Sequence, residues 1–481
     1  MAREKTFQKG DRIALDIEDL AVGGKGIAKA TTPLGPFAVF VQNAFPGQRV
    51  QGRVVISQQR FAECQLERVL ERAPFEVETG FQSIPGAPYA TVPVDIQRTY
   101  KERITLDLFT RFGEVPDVAA VYGGWIASPE QWHYRNKMEY SFSAIVHDLE
   151  TDEQRDGFGL GFKHRGTWWA VENLDGDSGL FDAAVESEMH RVRGWCEGTG
   201  LPAWHPPRRT GFYRFLVVRK SFAEDKLLVQ LVTTSAGLDR FDLPGFVDCV
   251  RGLWGDRVAG VIHTVNDDTG ERVEARDGQH RPVWGSDHIV ERLGGLSFSI
   301  QMGSFFQTNP RSAERLYAEV VAQAMAPAAW ERRKWWMDLF CGTGTIAQLL
   351  AQASGQPVIG VDIVADAIAD AQKSAAANGV SGIAFHAADV GKFLLEFPQY
   401  AGSIDTIVLD PPRAGIAPKT LRKIIRLEAP RLVYVSCNPA TQARDFATLQ
   451  AHGYRLASLK LVDQFPHTSH VESVARLDRV F

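Results

Sequence analysis

Cysteine is scarce in this 481-residue sequence: there are five, at positions 64, 196, 249, 341 and 437, and no pair has CxxC spacing. An odd, scattered set does not make a disulfide framework or a zinc site, and points to a reducing cytoplasm. No apolar run approaches the roughly 18 residues that a membrane span needs. The charged opening Met1–Lys5 runs on to Lys9, Asp11 and Arg12 without the apolar stretch of a signal peptide. Neither sign of charge dominates: 53 Lys and Arg against 58 Asp and Glu leave a net charge of −5, so a nucleic-acid partner must be met by local patches. Internal repeats and low-complexity linkers are missing too. A membrane protein, a secreted disulfide scaffold, a fibre and a zinc-finger array are thereby set aside. What is present, 44% hydrophobic and 23% charged residues, suffices for buried cores. The length suggests about three domains of about 150 residues.

The organisation changes along the chain. Residues 1–73 read as short strands, such as Arg12–Ile17, Ala38–Val41 and Gln51–Ile56, broken by Gly23-Gly24, Pro33, Gly35 and Pro46-Gly47. This predicts a small OB-type barrel. Its basic residues, Lys25 and Lys29 among them, are either a solvated surface or a nucleic-acid face. Residues 74–300 predict a mixed, strand-rich unit, with helical spacing over 94–114 and candidate strands at 138–146, 214–219, 227–233 and 259–264. From 301 to 481, strands and helices alternate, the signature of a doubly wound parallel sheet, and two final strands close it as an antiparallel pair. The fold class is α/β.

Four motifs carry chemistry. In Asp338-Leu-Phe-Cys-Gly-Thr-Gly-Thr345, Gly342 and Gly344 sit between a strand and a helix, where they permit a tight turn and close approach of a ligand. Asp362 ends the next strand 20 residues after Gly342, about the spacing that reaches ribose hydroxyls. The loop fits neither GxGxxG nor a Gly-Lys-Ser/Thr phosphate loop. It therefore points to adenosine without a phosphate chain, S-adenosylmethionine. Asp389 ends the third strand as an adenine contact or as an ordinary helix cap. Asp410-Pro-Pro-Arg-Ala-Gly415 stiffens the end of the fourth strand, where Asp410 can accept hydrogen bonds from a base edge or the cofactor. Ser436-Cys437-Asn438-Pro439 places a thiol before a helix, where the helix N-terminus is expected to favour thiolate and make Cys437 a nucleophile. Cys341, inside the glycine loop, reads as structural. In Asp463-Gln-Phe-Pro-His-Thr-Ser-His-Val-Glu472, Glu472 is either a general base or a solvated carboxylate. The two histidines, with no cysteine near, do not make a metal set.

These motifs, in this order, resemble the RNA uridine-5-methyltransferases that act on tRNA and 23S rRNA. Phe305-Phe-Gln307-Thr-Asn309 is similar to that family's Phe-x-Gln-x-Asn element, Gly23–Gly26 and Phe45–Gly47 resemble its TRAM domain, and Tyr134–Met138 resembles a segment of its central domain. The resemblance implies a TRAM barrel, a central domain and a Rossmann-like class I methyltransferase domain. It implies Cys437 as nucleophile and Glu472 as base, with Gln307, Phe340, Thr345, Asp362, Asp389 and Asp410 around cofactor and uracil, beside the Gly342 and Gly344 already read from the loop as cofactor-binding. RNA, either rRNA or tRNA, is the implied partner, with Lys25, Lys29, Arg135 and Lys137 as candidate contacts. A cytoplasmic monomer with no obligate protein partner is expected. Thr345 and Asp362 stand where the family often has Asn and Glu. The ribosomal branch carries an iron–sulfur cluster, but the matching positions here are Ile84, Ala87 and Ser178, so no cluster is expected.

The chemistry suits the residues. Uracil C5 is too weak a nucleophile to take a methyl group directly, and a thiolate added at C6 makes C5 enolate-like. The target base must leave its stack to reach such a site. The rival readings are an RNA cytosine-5 methyltransferase and a non-catalytic RNA-binding or folding factor.

Overall fold

The computed structural model describes residues 6–32, 35–149, 151–274 and 280–480; Met1–Lys5 and the Pro33 turn lie outside these. Near the N-terminus, six strands between Arg12 and Glu71 form one sheet. Alternating residues (Leu15, Ala28, Val39, Val41, Val54 and Leu66 among them) turn inward, so the sheet rolls around a single apolar core. Gly26 lies where a Cβ would strike Ile17 and the Ala44 carbonyl, which explains a glycine inside a strand.

The middle of the chain builds a seven-stranded mixed sheet that includes Lys137–Asp148, Tyr213–Lys220, Leu227–Thr233 and Val258–Val265, over the four predicted stretches. Its strands are apolar on both faces because both faces are covered. Leu216 and Val218 face a core with helices Met189–Gly198 and Leu243–Trp254. Phe215 and Val217 face the opposite way, onto the C-terminal unit.

The C-terminal unit is an eight-stranded sheet. Strand Trp335–Leu339 lies inside it, with Val358–Asp362 and then Ile383–Ala387 on one side. Ile404–Leu409, Arg431–Ser436, Glu472–Arg479 and Tyr454–Val462 follow on the other. The first five are parallel and Glu472–Arg479 is antiparallel, in keeping with the closing pair of strands expected from the sequence. The direction of winding reverses between Trp335–Leu339 and Ile404–Leu409, and ligands of open α/β sheets bind beyond the carboxyl ends at that point. An eighth strand, Tyr122–Ile126, comes from the middle of the chain and pairs with Tyr454–Val462.

Helix Val94–Arg111 buries Val94, Gln97, Lys101, Thr105 and Leu108, a stripe at helical spacing that is partly polar. The polar members hold the loop between the last two strands. Arg98 donates to the fully buried Asp463 at 3.0 Å, and Lys101 Nζ lies 3.5 Å from the same carboxylate. Gln97 accepts from the His467 amide at 3.0 Å. The loop that ends at Glu472 is thus fixed from outside its own unit.

Candidate active site

A cleft of about 1190 Å³ opens at the carboxyl ends of the parallel strands. Its lining brings together Gln307, Phe340, Gly342, Thr345, Asp362, Asp389, Asp410, Cys437 and Glu472, nine of the ten residues expected at the catalytic and cofactor site. The tenth, Gly344, supports the turn from behind.

The glycine loop divides the work between its two glycines. Gly344 has φ +73°, and a Cβ there would lie 2.6 Å from the Phe385 ring. Gly342 has φ +51° and open space around its missing Cβ, leaving room for a ligand to approach the backbone. Phe340 adopts φ 68°, an unusual conformation for a bulky residue, which places its ring at the cleft. Asp362 accepts hydrogen bonds from the amides of Gly342, at 3.0 Å, and Val364, at 2.9 Å, so the acidic residue also clamps the loop. Asp389 takes the helix-cap role and also stands at the cleft: it caps helix Val390–Glu396 through the Lys392 amide at 2.9 Å.

These contacts separate two mutants. Gly342→Ala meets no clash but takes on a left-handed φ, so it should melt slightly below the parent and lose cofactor affinity. Gly344→Ala combines a clash with a disfavoured φ, costing about 1–3 kcal/mol of stability as well. Thermal melts with and without S-adenosylmethionine check both.

Cys437 and Glu472 meet because the strands that carry them are antiparallel neighbours. Ser436 pairs with Ser473, so the next residue outward on each strand is Cys437 on one and Glu472 on the other. Asn438 caps helix Pro439–Ala451 and donates to the Arg413 carbonyl at 3.0 Å, tying the cysteine turn to the Asp-Pro-Pro-Arg loop. Ser473 donates to Gln442 at 2.6 Å, which locks the same corner.

The electrostatics correct one expectation. Burial, with the nearby Glu472, pushes the Cys437 thiol up, and Arg413 opposes this; the helix N-terminus does not prevail. Burial and Asp410 push Glu472 up to about 8. Asp338 rises to about 8 and Asp410 to about 6, both chiefly through burial. Burial also raises the Cys341 thiol strongly, and its sulfur packs 3.3 Å from where a Gly360 Cβ would stand, in keeping with a structural role.

Several residues at the cleft escape a reading of the sequence alone. Phe305 is 74% exposed and lines the cleft. Arg413 is the single Lys or Arg among the described lining residues, and Tyr317, Ile262 and Pro282 line it too. Phe305 and Arg413 lie inside recognisable motifs, and exposure is the information that a motif lacks. Tyr317 has no signal, since its helix reads as ordinary amphipathic.

The four candidate RNA contacts do not form one free patch. Lys25 pairs with Glu63 at 2.6 Å, Lys29 with Glu18 at 2.8 Å and Lys137 with Glu139 at 2.9 Å. Arg135 is the exception: its buried Nε has no hydrogen-bond partner.

The histidines of the last loop are engaged elsewhere. His467 stacks on Trp132 at 3.6 Å, and His470 accepts from Arg413 at 2.7 Å. Among the described residues no group of three or more His, Cys, Asp or Glu is arranged for a metal. The positions matching the ribosomal cluster ligands do not fit iron–sulfur. Ile84 and Ala87 are buried in an apolar core, and the Ser178 amide donates to the buried Glu186 at 2.7 Å. Protein purified anaerobically should carry no stoichiometric iron and no thiolate-to-iron absorbance near about 400 nm. Four irons per chain would show that cysteines distant in sequence converge.

The sheet order and a cleft built on a glycine loop define an α/β methyltransferase. The family description "Methyltransferase domain" matches residues 332–470. An uncharacterized RNA methyltransferase of Clostridium acetobutylicum is 33% identical over 479 residues, covering 99% of each chain. One of Caldanaerobacter subterraneus is 33% identical over 476 residues, covering 98% of this chain and 99% of its own. The chain belongs to this family of RNA methyltransferases. The fold is also that of the Pyrococcus abyssi tRNA (uracil-54, C5)-methyltransferase, solved with S-adenosyl-L-homocysteine: TM-score 0.71 and 24% identity, covering 97% of this chain and 100% of that one. Among the described residues no helix is long and apolar enough to cross a membrane.

Proposed function

We propose that the protein methylates uridine at C5 in RNA, with S-adenosylmethionine as the methyl donor. The observation that carries this reading is the placement of Cys437 and Glu472 at facing strand ends in one cleft with the glycine loop and Asp362. A nucleophile alone suits many reactions. A thiol opposite a protected carboxyl, beside a nucleoside-sized cofactor turn, suits addition to a pyrimidine ring and later removal of a ring proton.

The exposed Phe305 offers a stacking face for an extruded base. Arg413 stands close enough to Cys437 to favour its thiolate, which adds to C6 and makes C5 nucleophilic. Bound S-adenosylmethionine supplies an electrophilic methyl group for C5. Glu472, once ionised, takes the C5 proton. The electron pair of that C–H bond re-forms the C5–C6 double bond and expels the Cys437 thiolate. Asp410, half-buried at the same cleft, can accept a hydrogen bond from the base.

The test is direct. RNA from cells lacking this protein is incubated with the enzyme and methyl-labelled S-adenosylmethionine, then digested to nucleosides. Label in 5-methyluridine is expected. Label in 5-methylcytidine would favour the cytosine enzyme, and no label in any RNA would overturn the reading.

A further inference from the structure

Between strand Leu296–Gln301 and helix Pro310–Met325, residues 302–309 form part of the cleft wall without belonging to a helix or strand. The exposed Phe305 stands there beside Phe306, which is buried and packs on Phe298 at 6.0 Å. Carbonyls in such a stretch must find their partners elsewhere, and here the middle sheet supplies them. The Arg219 guanidinium donates to the Ser304 carbonyl at 2.9 Å. Asn136 donates through its side-chain amide to the Gln307 carbonyl at 3.1 Å and through its backbone amide to the Thr308 carbonyl at 2.7 Å. The two holders form one corner, because the Lys220 amide, next to Arg219, donates to the Asn136 carbonyl at 2.7 Å. The backbone on both sides of Phe305 is therefore fixed by the middle sheet rather than by its own unit.

Arg219 is not the residue that packing alone would select. On strand Tyr213–Lys220, Phe215 and Val217 turn the same way into an apolar core, and stability alone would continue that stripe. Instead the position holds a guanidinium that is only 3% exposed. It is in no ion pair among the described residues: Glu139, diagonal to it on the neighbouring strand, pairs with Lys137 at 2.9 Å. Its Nε and Nη1 are buried without hydrogen-bond partners. A buried cation so incompletely compensated costs stability. The contact it does make is with the backbone next to Phe305.

We infer that Arg219 is a positioning residue for the RNA base: by fixing the Ser304 carbonyl it holds the Phe305 ring where an extruded uracil stacks. This rests on the reading of Phe305 as the stacking face, and adds a determinant from outside the methyltransferase unit. Arg219 is not among the residues that line the cleft, so it acts through the backbone of Ser304 and not on the substrate. A base gains from a stacking face only if the ring is already in place when it arrives, since ordering it on binding would consume part of the gain.

The test is a double-mutant cycle on the full-length enzyme, with methyl-labelled S-adenosylmethionine and RNA from cells lacking the protein. It reads the RNA concentration that gives half-maximal single-turnover methylation. Losing one base–aromatic stack in Phe305→Ala should raise that concentration about tenfold. Arg219→Met keeps an apolar stem, removes the donors, and should raise it by up to about tenfold. With the ring gone Arg219 has nothing left to position, so the double variant should match Phe305→Ala. S-adenosylmethionine affinity should stay at the parent's value throughout. In the free protein, hydrogen exchange of the amides of residues 303–308 should quicken in Arg219→Met while that of strand Arg431–Ser436 does not. Arg219→Lys, which keeps the charge but not the planar fork, should show the same pattern at smaller size, and it carries both measurements if Arg219→Met does not fold. Additive effects in the double variant, a parallel loss of S-adenosylmethionine affinity, or unchanged exchange at 303–308 would each make Arg219 a structural residue and overturn the proposal. Phe305→Ala with the parent's RNA dependence would overturn the stacking face itself, and a parent that methylates no RNA would overturn the function on which both rest.

Discussion

Cys437→Ala should lose methyl transfer by about 10⁴-fold or more, while binding S-adenosylmethionine nearly as the parent does. The size follows from the role: removing a covalent nucleophile removes the pathway rather than one interaction along it. The selectivity follows from position. Cys437 lies at the end of Arg431–Ser436, across from Glu472, whereas the glycine loop follows Trp335–Leu339. The side chain is small and partly exposed, so the fold should tolerate alanine. Rates from single-turnover assays and affinities from calorimetry check the two halves separately. Retained turnover would remove Cys437 from the mechanism. Cys341→Ala is the control: that sulfur packs against Gly360 and Gly342 and should affect stability and cofactor binding before chemistry.

Much of the C-terminal unit is legible in the sequence because its signals are local. Each of the five parallel strands from Trp335 onward is a short, largely apolar run followed by a helix, and glycine or aspartate marks the first four turns. The strand Tyr122–Ile126 is not legible. Its sequence, Tyr-Gly-Gly-Trp-Ile, is broken by two glycines that hide its strand formers, and its partner lies more than 300 residues away. Arg98, Lys101 and Asp463 are equally silent, since nothing in a helical stripe says that its charged members are buried against a distant carboxylate. The state of the Cys437 thiol departs from expectation for a quantitative reason. A helix terminus contributes about 0.3–1 kcal/mol at exposed sites. Burial can shift an ionisable group by up to about 3–5 pH units, each worth about 1.4 kcal/mol. Sequence shows the helix but not the burial. The glycine loop and Asp362 need no such long-range information, because their geometry is set within one strand–turn–helix unit and the strand beside it.

Glu472→Gln should stop turnover after the methyl group has moved. Without a base the C5 proton remains, the C5–C6 double bond cannot re-form, and Cys437 stays attached to C6. A covalent protein–RNA species should therefore accumulate on a denaturing gel, carrying label from methyl-labelled S-adenosylmethionine. Alanine would leave a cavity; glutamine preserves volume and most polar contacts, so the effect reports on proton removal. The parent's pH profile tests the same assignment. Burial and Asp410 raise the Glu472 carboxyl to about 8, and the base works only when ionised. Below that value the competent fraction grows about tenfold per pH unit, so proton removal should quicken as pH rises from about 6 and level off above about 8. The sign for stability is opposite. A carboxyl with a raised folded pKa contributes most below its unfolded value, near 4.5, and that contribution is lost as pH rises through about 8. Glu472→Gln should accordingly melt later than the parent at about pH 9 and close to it at about pH 5. A mutant that turns over normally would make Glu472 a bystander. One that neither turns over nor traps RNA would place the residue before the methyl transfer, at the formation of the adduct.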